Sequence, residues 1–255
     1  MEFMTFGDKS NKTIMFLHGN LMSWRQFIDV IPLLEKDYHV IAVSLDGFDG
    51  TGKTTYPGAQ KEADLLAEYI KNECDGRLDC LFAESLGCCI TPLLKNNTTI
   101  RIENMILSGA ECLDCGIFNG LLLNIMPKKQ YKIVQNYKNP EYRFPKYLLK
   151  LTGQTQEGIK KLTEATADNI SIESIRETWK AGLYLYRTVD TLPVQPDAKV
   201  SCWYGEKESG MKKAIKKLRR IYPMLTICCF KGYGHGEIIR HPQQLADGIK
   251  EFIGR

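Results

Sequence analysis

Asp79-Cys80-Leu81-Phe82-Ala83-Glu84-Ser85-Leu86-Gly87-Cys88-Cys89-Ile90 is the stretch whose reading decides the fold. Leu81-Phe82 ends a short apolar run that predicts a buried strand, and Leu86 to Leu94 predicts a buried helix that tolerates Pro92. Between the two stands one serine, with Ala83 two residues before it and Gly87 two residues after it. A serine on a sharp strand-to-helix turn is forced into strained backbone angles, so its second neighbours on both sides must be small. Such a turn lifts the hydroxyl clear of the sheet and aims the next backbone N–H, that of Leu86, at whatever the serine attacks. The usual form is Gly-x-Ser-x-Gly, and here alanine replaces the first glycine. The pentapeptide alone is a weak signal, because a serine capping a core helix would look the same.

A base and an acid strengthen it. Lys231-Gly232-Tyr233-Gly234-His235-Gly236-Glu237 follows the β-rich run Leu225 to Phe230. A histidine between glycines, just past a strand, sits on the edge of a sheet where α/β proteins carry their chemistry. Upstream, the strand Val200 to Tyr204 runs into Gly205-Glu206-Lys207-Glu208. The order is serine, carboxylate, histidine.

These features resemble the α/β-hydrolase superfamily, and the resemblance extends to about two thirds of the chain, residues 12–110 and 193–254. Phe16-Leu17-His18-Gly19-Asn20 looks like its strand-end His-Gly motif, and Val40 to Gly47 like its next strand and turn. Gly234-His235-Gly236, His241-Pro242 and a closing amphipathic helix look like its C-terminus. The resemblance implies a mostly parallel central sheet with helices on both faces. Residues 1–110 and 193–255 would form this core, and residues 111–192 a helical cap.

It also implies roles. Ser85 would be the nucleophile and His235 its base. Glu208 is favoured as the acid because it stands three residues after Gly205, where the family usually has Asp. Glu206 is the neighbouring alternative, and Glu111 or Asp114 would replace both if the acid follows the preceding strand. The oxyanion hole would be the backbone N–H groups of Asn20, with Leu21 as alternative, and Leu86. His18 is expected to shape its turn rather than act as a second base. Trp24 and Glu84 are candidates for the substrate pocket, or else ordinary scaffold. The implied reaction is acyl transfer to water, most simply hydrolysis of an ester of a small, apolar acid. Thioesters, amides, C–C bonds and lyase chemistry stay open, as does ligand binding without turnover. The substrate is a small molecule, and neither a cofactor nor a metal is needed.

Composition fits this. At 255 residues, with 44% hydrophobic and 25% charged residues, the chain suits one soluble α/β unit. A dispersed net charge of +4 does not argue for nucleic acid. Residues 1–8 read as no secretory signal, so a cytoplasmic location is expected, with the nine cysteines as free thiols. Cys112-Leu113-Asp114-Cys115 has the spacing of half a zinc set, but nothing completes it.

Strands are expected at residues 2–6, 12–17, 38–45 and 102–107. One helical face is expected over Trp24 to Leu34, and a helix from Ala59 to Glu73, with Ala63, Leu66, Tyr69 and Ile70 on the sheet. A further helix over 210–222 would turn Ala214, Ile215, Leu218 and Ile221 inward and its lysines to solvent. From Ala110 to Leu192 helical patterns run without a strand, too long for an ordinary connection. Its apolar start, Ile117 to Met126, is too short to span a membrane and predicts a buried helix, an apolar pocket wall, or both. The aromatics of this region would suit an apolar pocket or a small helical core equally well.

One motif competes. Gly47-Phe48-Asp49-Gly50-Thr51-Gly52-Lys53-Thr54 matches the phosphate-binding P-loop pattern after a strand, which would make the protein a nucleotide binder. That chemistry needs a helix starting at Gly52-Lys53-Thr54, and Pro57-Gly58 interrupts it.

Overall fold

Short runs of buried, mostly apolar residues bounded by turns produce a seven-stranded sheet. The computed structural model describes residues 1–110, 114–196 and 198–254, without the side chains of Leu151, Tyr186 and Thr188. Its strands are β1 (Glu2–Phe6), β2 (Thr13–Leu17), β3 (His39–Ser44), β4 (Arg77–Glu84), β5 (Arg101–Ser108), β6 (Lys199–Gly205) and β7 (Thr226–Phe230). They lie in the order β1-β3-β2-β4-β5-β6-β7. Only β1 is antiparallel, paired to β3 at the edge; the others run parallel.

Alternate residues of the strands feed two cores. In β2, Met15 and Leu17 enter one, while Ile14 and Phe16 enter the other. The first core is closed by α2 (Ala59–Glu73), α3 (Gly87–Lys95) and α8 (Met211–Ile221). The second is closed by the short α1 (Ile31–Leu34) and by α9 (Pro242–Gly254). Both faces of a parallel sheet must be covered in this way, since its strands carry apolar residues on both sides. The predicted inner faces of α2 and α8 are buried, with Tyr69 partly so and stacked on Phe3. On α8's outer side Arg220 reaches Asp190 at 2.7 Å.

The expected single helix from Trp24 to Leu34 is two pieces. A 3-10 turn covers Trp24–Phe27, and α1 starts afresh at Ile31 with Pro32 in its first turn. Proline lacks the N–H that a continuous helix would need there, so it opens a new helix. Ile28, placed on the buried face by periodicity, is 51% exposed as a result.

Between β5 and β6 the chain adds α4 (Asn119–Asn136), α5 (Lys146–Thr152), α6 (Gln156–Leu162) and α7 (Ile172–Val189). This insertion meets the rest at several places, among them α7, whose Ile175, Leu185 and Val189 enter the first core, and an isolated bridge between Met22 and Thr166. The apolar start of α4 is neither buried nor a pocket wall. Ile117 and Phe118, in the 3-10 turn before α4, are 92% and 59% exposed, and on α4 itself Leu121 is 57% exposed while Asn119 bonds the Leu183 carbonyl of α7. No helix among the described residues is long and apolar enough to cross a membrane.

Candidate functional site

The strand order reverses direction around β2, whose neighbours β3 and β4 lie on opposite sides of it. The carboxyl ends of β2 and β4 therefore open a crevice, the place where α/β sheets bind ligands.

At the end of β4 the backbone turns into α3 through Ser85, which has φ +47°. A non-glycine residue in this region carries strain that the surroundings must hold. They do so with two hydrogen bonds: the Ser85 N–H donates to the Ser108 carbonyl at 2.8 Å, and the Ser85 carbonyl accepts from Cys88 at 3.0 Å. Gly87 is required by contact, since a Cβ there would lie 2.9 Å from the Leu17 carbonyl oxygen. Ala83, completely buried in β4, keeps the opposite side of the turn small.

The loop after β2 is fixed by His18. Buried His18 accepts from the Leu45 N–H through Nε2 at 3.0 Å, so its proton sits on Nδ1, which faces the Gly19 carbonyl at 2.8 Å. Both ring nitrogens are thereby used to hold the backbone. Burial lowers its pKa to about 4, so the ring is neutral. The turn is fastened again by Gln26, whose Oε1 accepts from the Gly19 N–H at 2.8 Å. Beyond it, Leu21 adopts φ +70°. Among the described residues, neither the Asn20 nor the Leu86 N–H donates to a protein acceptor.

The loop after β7 carries His235 and the loop after β6 carries Glu208. His235 Nδ1 lies 2.9 Å from Glu208 Oε2, while Glu208 Oε1 accepts from the Gly205 N–H at 2.6 Å. The Glu208 side chain is only 1% exposed. An ionised carboxylate accepts only, so Nδ1 carries the proton and Nε2 is left as the basic nitrogen. Gly109, at φ +63°, makes room for the ring: a Cβ there would lie 2.7 Å from His235 Cε1. The other acid candidates lie elsewhere. Glu206 accepts from the Gly232 N–H, and Asp114 caps the turn at Gly116. Glu111, like Cys112 of the Cys-x-x-Cys pair, lies outside the described residues.

Ser85 and His235 line one cavity of about 220 Å³, together with Asn20, Leu21 and Glu84. Glu84 is 1% exposed, and its Oε1 stands 3.9 Å from His235 Nε2. Trp24 is not on this wall. It packs against Phe6 beside the second core, and its backbone N–H donates to Ser44 Oγ. Leu86 is 4% exposed and is not among the residues lining the cavity.

The remaining wall comes from the insertion: Ile133, Val134, Tyr137, Phe144, Leu148 and Ile159 among others. Ile133, Phe144 and Ile159 also form a small separate core there. Gln130 connects the two halves, its Oε1 accepting from Trp179 Nε1 at 2.6 Å and from Asn20 Nδ2 at 3.3 Å. Gln26, Gly109, Gln130 and Gln154 were not singled out from the sequence. Glutamine carries no pattern of its own, and only Gly109, just past a predicted strand, left a readable trace.

The loop Gly47 to Thr54 does not form a phosphate cradle. Thr54 Oγ1 is occupied by the Gly47 N–H at 2.7 Å, Asp49 takes the Thr51 N–H, and the next helix starts only at Ala59. The amides that would bind phosphate at a helix N-terminus are therefore not assembled.

No protein-family model matches the chain, and no curated protein matches it by sequence. Solved structures do. An alpha/beta hydrolase family protein from Desulfitobacterium hafniense is 18% identical with a TM-score of 0.85, covering 99% of this chain and 100% of that one. MenH from S. aureus is 18% identical with a TM-score of 0.74, covering 99% and 97%. A structure from work on carboxylesterases of Nitrososphaera gargenis is 15% identical with a TM-score of 0.69, covering 99% and 93%. The chain has the α/β-hydrolase fold.

Proposed function

We propose that the protein is a serine hydrolase that cleaves an ester of a small, apolar acid through Ser85, His235 and Glu208. One observation carries this reading: a strained serine at the end of β4 shares a cavity with a histidine whose Nδ1 is held at 2.9 Å by a buried carboxylate. That arrangement has no role in packing that a plainer set of residues could not fill.

The steps follow from the geometry. His235 Nε2 takes the Ser85 proton as Oγ attacks the ester carbonyl, and Glu208 stabilises the imidazolium that forms. The Asn20 and Leu86 amides receive the negative charge on the carbonyl oxygen, and each such donor contributes about 3 kcal/mol of barrier lowering. The leaving alcohol takes the proton back from His235, and water then repeats the sequence on the acyl-enzyme.

The insertion serves as a cap over residues 1–110 and 193–255. Its apolar residues Ile133, Val134, Phe144, Leu148 and Ile159 suit an alkyl or aryl acyl group, with polar groups lining the cavity from both the insertion and the sheet end. Esterases among the fold's structural neighbours agree with ester chemistry at the level of the fold.

The test is hydrolysis of p-nitrophenyl esters of increasing acyl length by the wild type, Ser85→Ala and His235→Ala. Turnover by the wild type alone is expected, falling by at least about 10³-fold in either variant. Equal turnover by wild type and Ser85→Ala would remove the serine from the mechanism. Inactivity of all three would leave the fold without simple esterase activity and favour a lyase or a ligand binder.

A further inference from the structure

The cap touches the histidine loop at one three-residue turn, Thr152-Gly153-Gln154, between α5 and α6. That turn engages both backbone polar groups of His235. The His235 N–H donates to the Thr152 carbonyl at 2.7 Å, and Gln154 Nε2 donates to the His235 carbonyl at 2.8 Å. Gly153, at φ +66°, lies so close to the acid's loop that a Cβ there would meet Lys207 Cβ at 2.8 Å. Gly234 lies equally close to the Thr152 and Gly153 carbonyls. One turn of the cap thus rests on both loops that carry the base and its acid.

Gln154 is itself held. It is 7% exposed, and its Oε1 accepts from Arg240 Nη2 at 3.3 Å. Arg240 in turn pairs with Glu237 Oε1 at 2.8 Å, and Glu237 Oε2 accepts the Gly234 N–H at 2.7 Å. The circuit Gly234, Glu237, Arg240, Gln154, His235 closes on the histidine's own backbone. A glycine-flanked loop has few internal restraints, and Gly236 at φ +67° gives the chain freedom directly after the ring. The restraint therefore comes from outside the loop.

We infer that Gln154, a residue of the cap, is a positioning residue for His235, and that the Thr152–Gln154 turn is a fixed anchor of the cap rather than part of a movable lid. The inference rests on the assignment of His235 as the base. It follows that the cap cannot lift from the sheet end on this side without releasing the histidine.

The test compares Gln154→Met, which keeps side-chain length but removes both hydrogen bonds, with Gln154→Glu, which keeps the acceptor for Arg240 and loses the donor. Arg240→Met, outside the cavity wall, removes the support of Gln154 instead. Three readouts are taken: kcat and KM on a p-nitrophenyl ester, thermal midpoint, and the low-field proton resonance of His235 Nδ1–H in the wild type and each variant. A tenfold to hundredfold fall in kcat is expected for both Gln154 variants, with KM within about threefold. The Nδ1–H resonance should broaden or move upfield while the thermal midpoint stays near wild type. Arg240→Met should change the same signals in the same direction to a smaller extent.

An unchanged resonance with an unchanged kcat, or a rise in KM alone, would overturn the inference and leave Gln154 as an ordinary wall residue. Should the Gln154 variants fail to fold, Arg240→Met decides by the same criteria. The resonance needs no turnover. If Ser85→Ala proves as active as wild type, the proposed mechanism fails, while the resonance still reports whether Gln154 holds the ring.

Discussion

The sheet end and the helical insertion share one cavity yet are built by different physics. At the sheet end Ser85 is held by its positive φ, His18 by two main-chain partners and Glu208 by the Gly205 N–H, while His235 is held by the Glu208 carboxylate and by the insertion's Thr152–Gln154 turn. The insertion has a small core of its own, Ile133, Phe144 and Ile159, and leaves the start of α4 in solvent. On the proposed mechanism the sheet end would carry the chemistry and the insertion the selection of substrate. The sharpest way to break this division is at the acid. Glu208→Gln places an amide N–H or a neutral carbonyl against Nδ1 and disturbs the tautomer that leaves Nε2 basic. A fall in kcat of about 10³- to 10⁴-fold is expected, as for amide replacement of the acid in other Ser-His-acid sites. Glu206→Gln, at the edge of the same loop, should stay within a few-fold of wild type. If the two fall together, or Glu206→Gln falls further, Glu208 is not the acid.

Two glycines extend the contrast to stability. Gly87 starts α3 against the Leu17 carbonyl, whereas Gly120, in the first turn of α4, has no neighbouring atom within 4 Å of where a methyl group would stand. Alanine at 87 must push the strand and helix apart, at a cost of about 2 kcal/mol. Alanine at 120 meets no neighbour and removes unfolded-state freedom, a gain of about 0.5 kcal/mol. Urea midpoints of the two variants check both signs. Equal responses would mean that the insertion is packed as tightly as the elbow.

The same difference decided what could be read from the sequence. The turn at Ser85 after β4 and the Gly234-His235-Gly236 loop after β7 were legible because each is a local backbone requirement. Glu208 was reached only through the resemblance, which places an acid three residues after Gly205; in the structure it accepts from the Gly205 N–H. Trp24 was one whose side could not be read: an aromatic next to the His-Gly turn could face either way, and in the structure it packs on Phe6. The exposed start of α4 was unreadable for a different reason. Periodicity shows that a helix has an apolar stripe and does not show whether another element covers it. Gln130 and Gln154 act through side-chain amides across more than eighty residues of chain, and no local pattern encodes that.

Within the cavity the division predicts a change of preference without a change of chemistry. Val134 borders the cavity from α4. Val134→Ala should raise kcat/KM for longer acyl chains relative to shorter ones by about tenfold, the lower end of what a methylene-sized change in a pocket is worth. The rate on the shortest ester should hardly move. A uniform loss at all chain lengths would place Val134 in the support of the reacting groups and blur the boundary between the two regions.

The smallest predicted effect separates the regions by pH. Ion pairs of the insertion such as Lys180–Glu177 are well exposed and contribute little to stability. The sheet region instead buries Glu62 on α2, whose pKa is raised to about 8 by burial first and by Asp46 second. A carboxyl raised in the folded state keeps its proton while the unfolded chain, with an ordinary carboxylate, gives its proton up. Its contribution is therefore fully present below about pH 4.5 and is lost as pH rises through about 8. His18 runs the other way: lowered to about 4, it adds stability as pH rises toward 6.5 and nothing further above that. Between pH 4.5 and 6.5 the two oppose each other, so the clean window is pH 7 to 8, where Glu62 acts alone. There the wild type should lose about 1 kcal/mol, since one unit of pH is worth at most about 1.4 kcal/mol per proton and the folded group is already partly ionised. Urea midpoints at the two pH values should show that loss in the wild type and in Glu177→Gln, and its disappearance in Glu62→Gln. The sheet region would lose its claim to the protein's pH response if Glu62→Gln kept the decline and Glu177→Gln removed it.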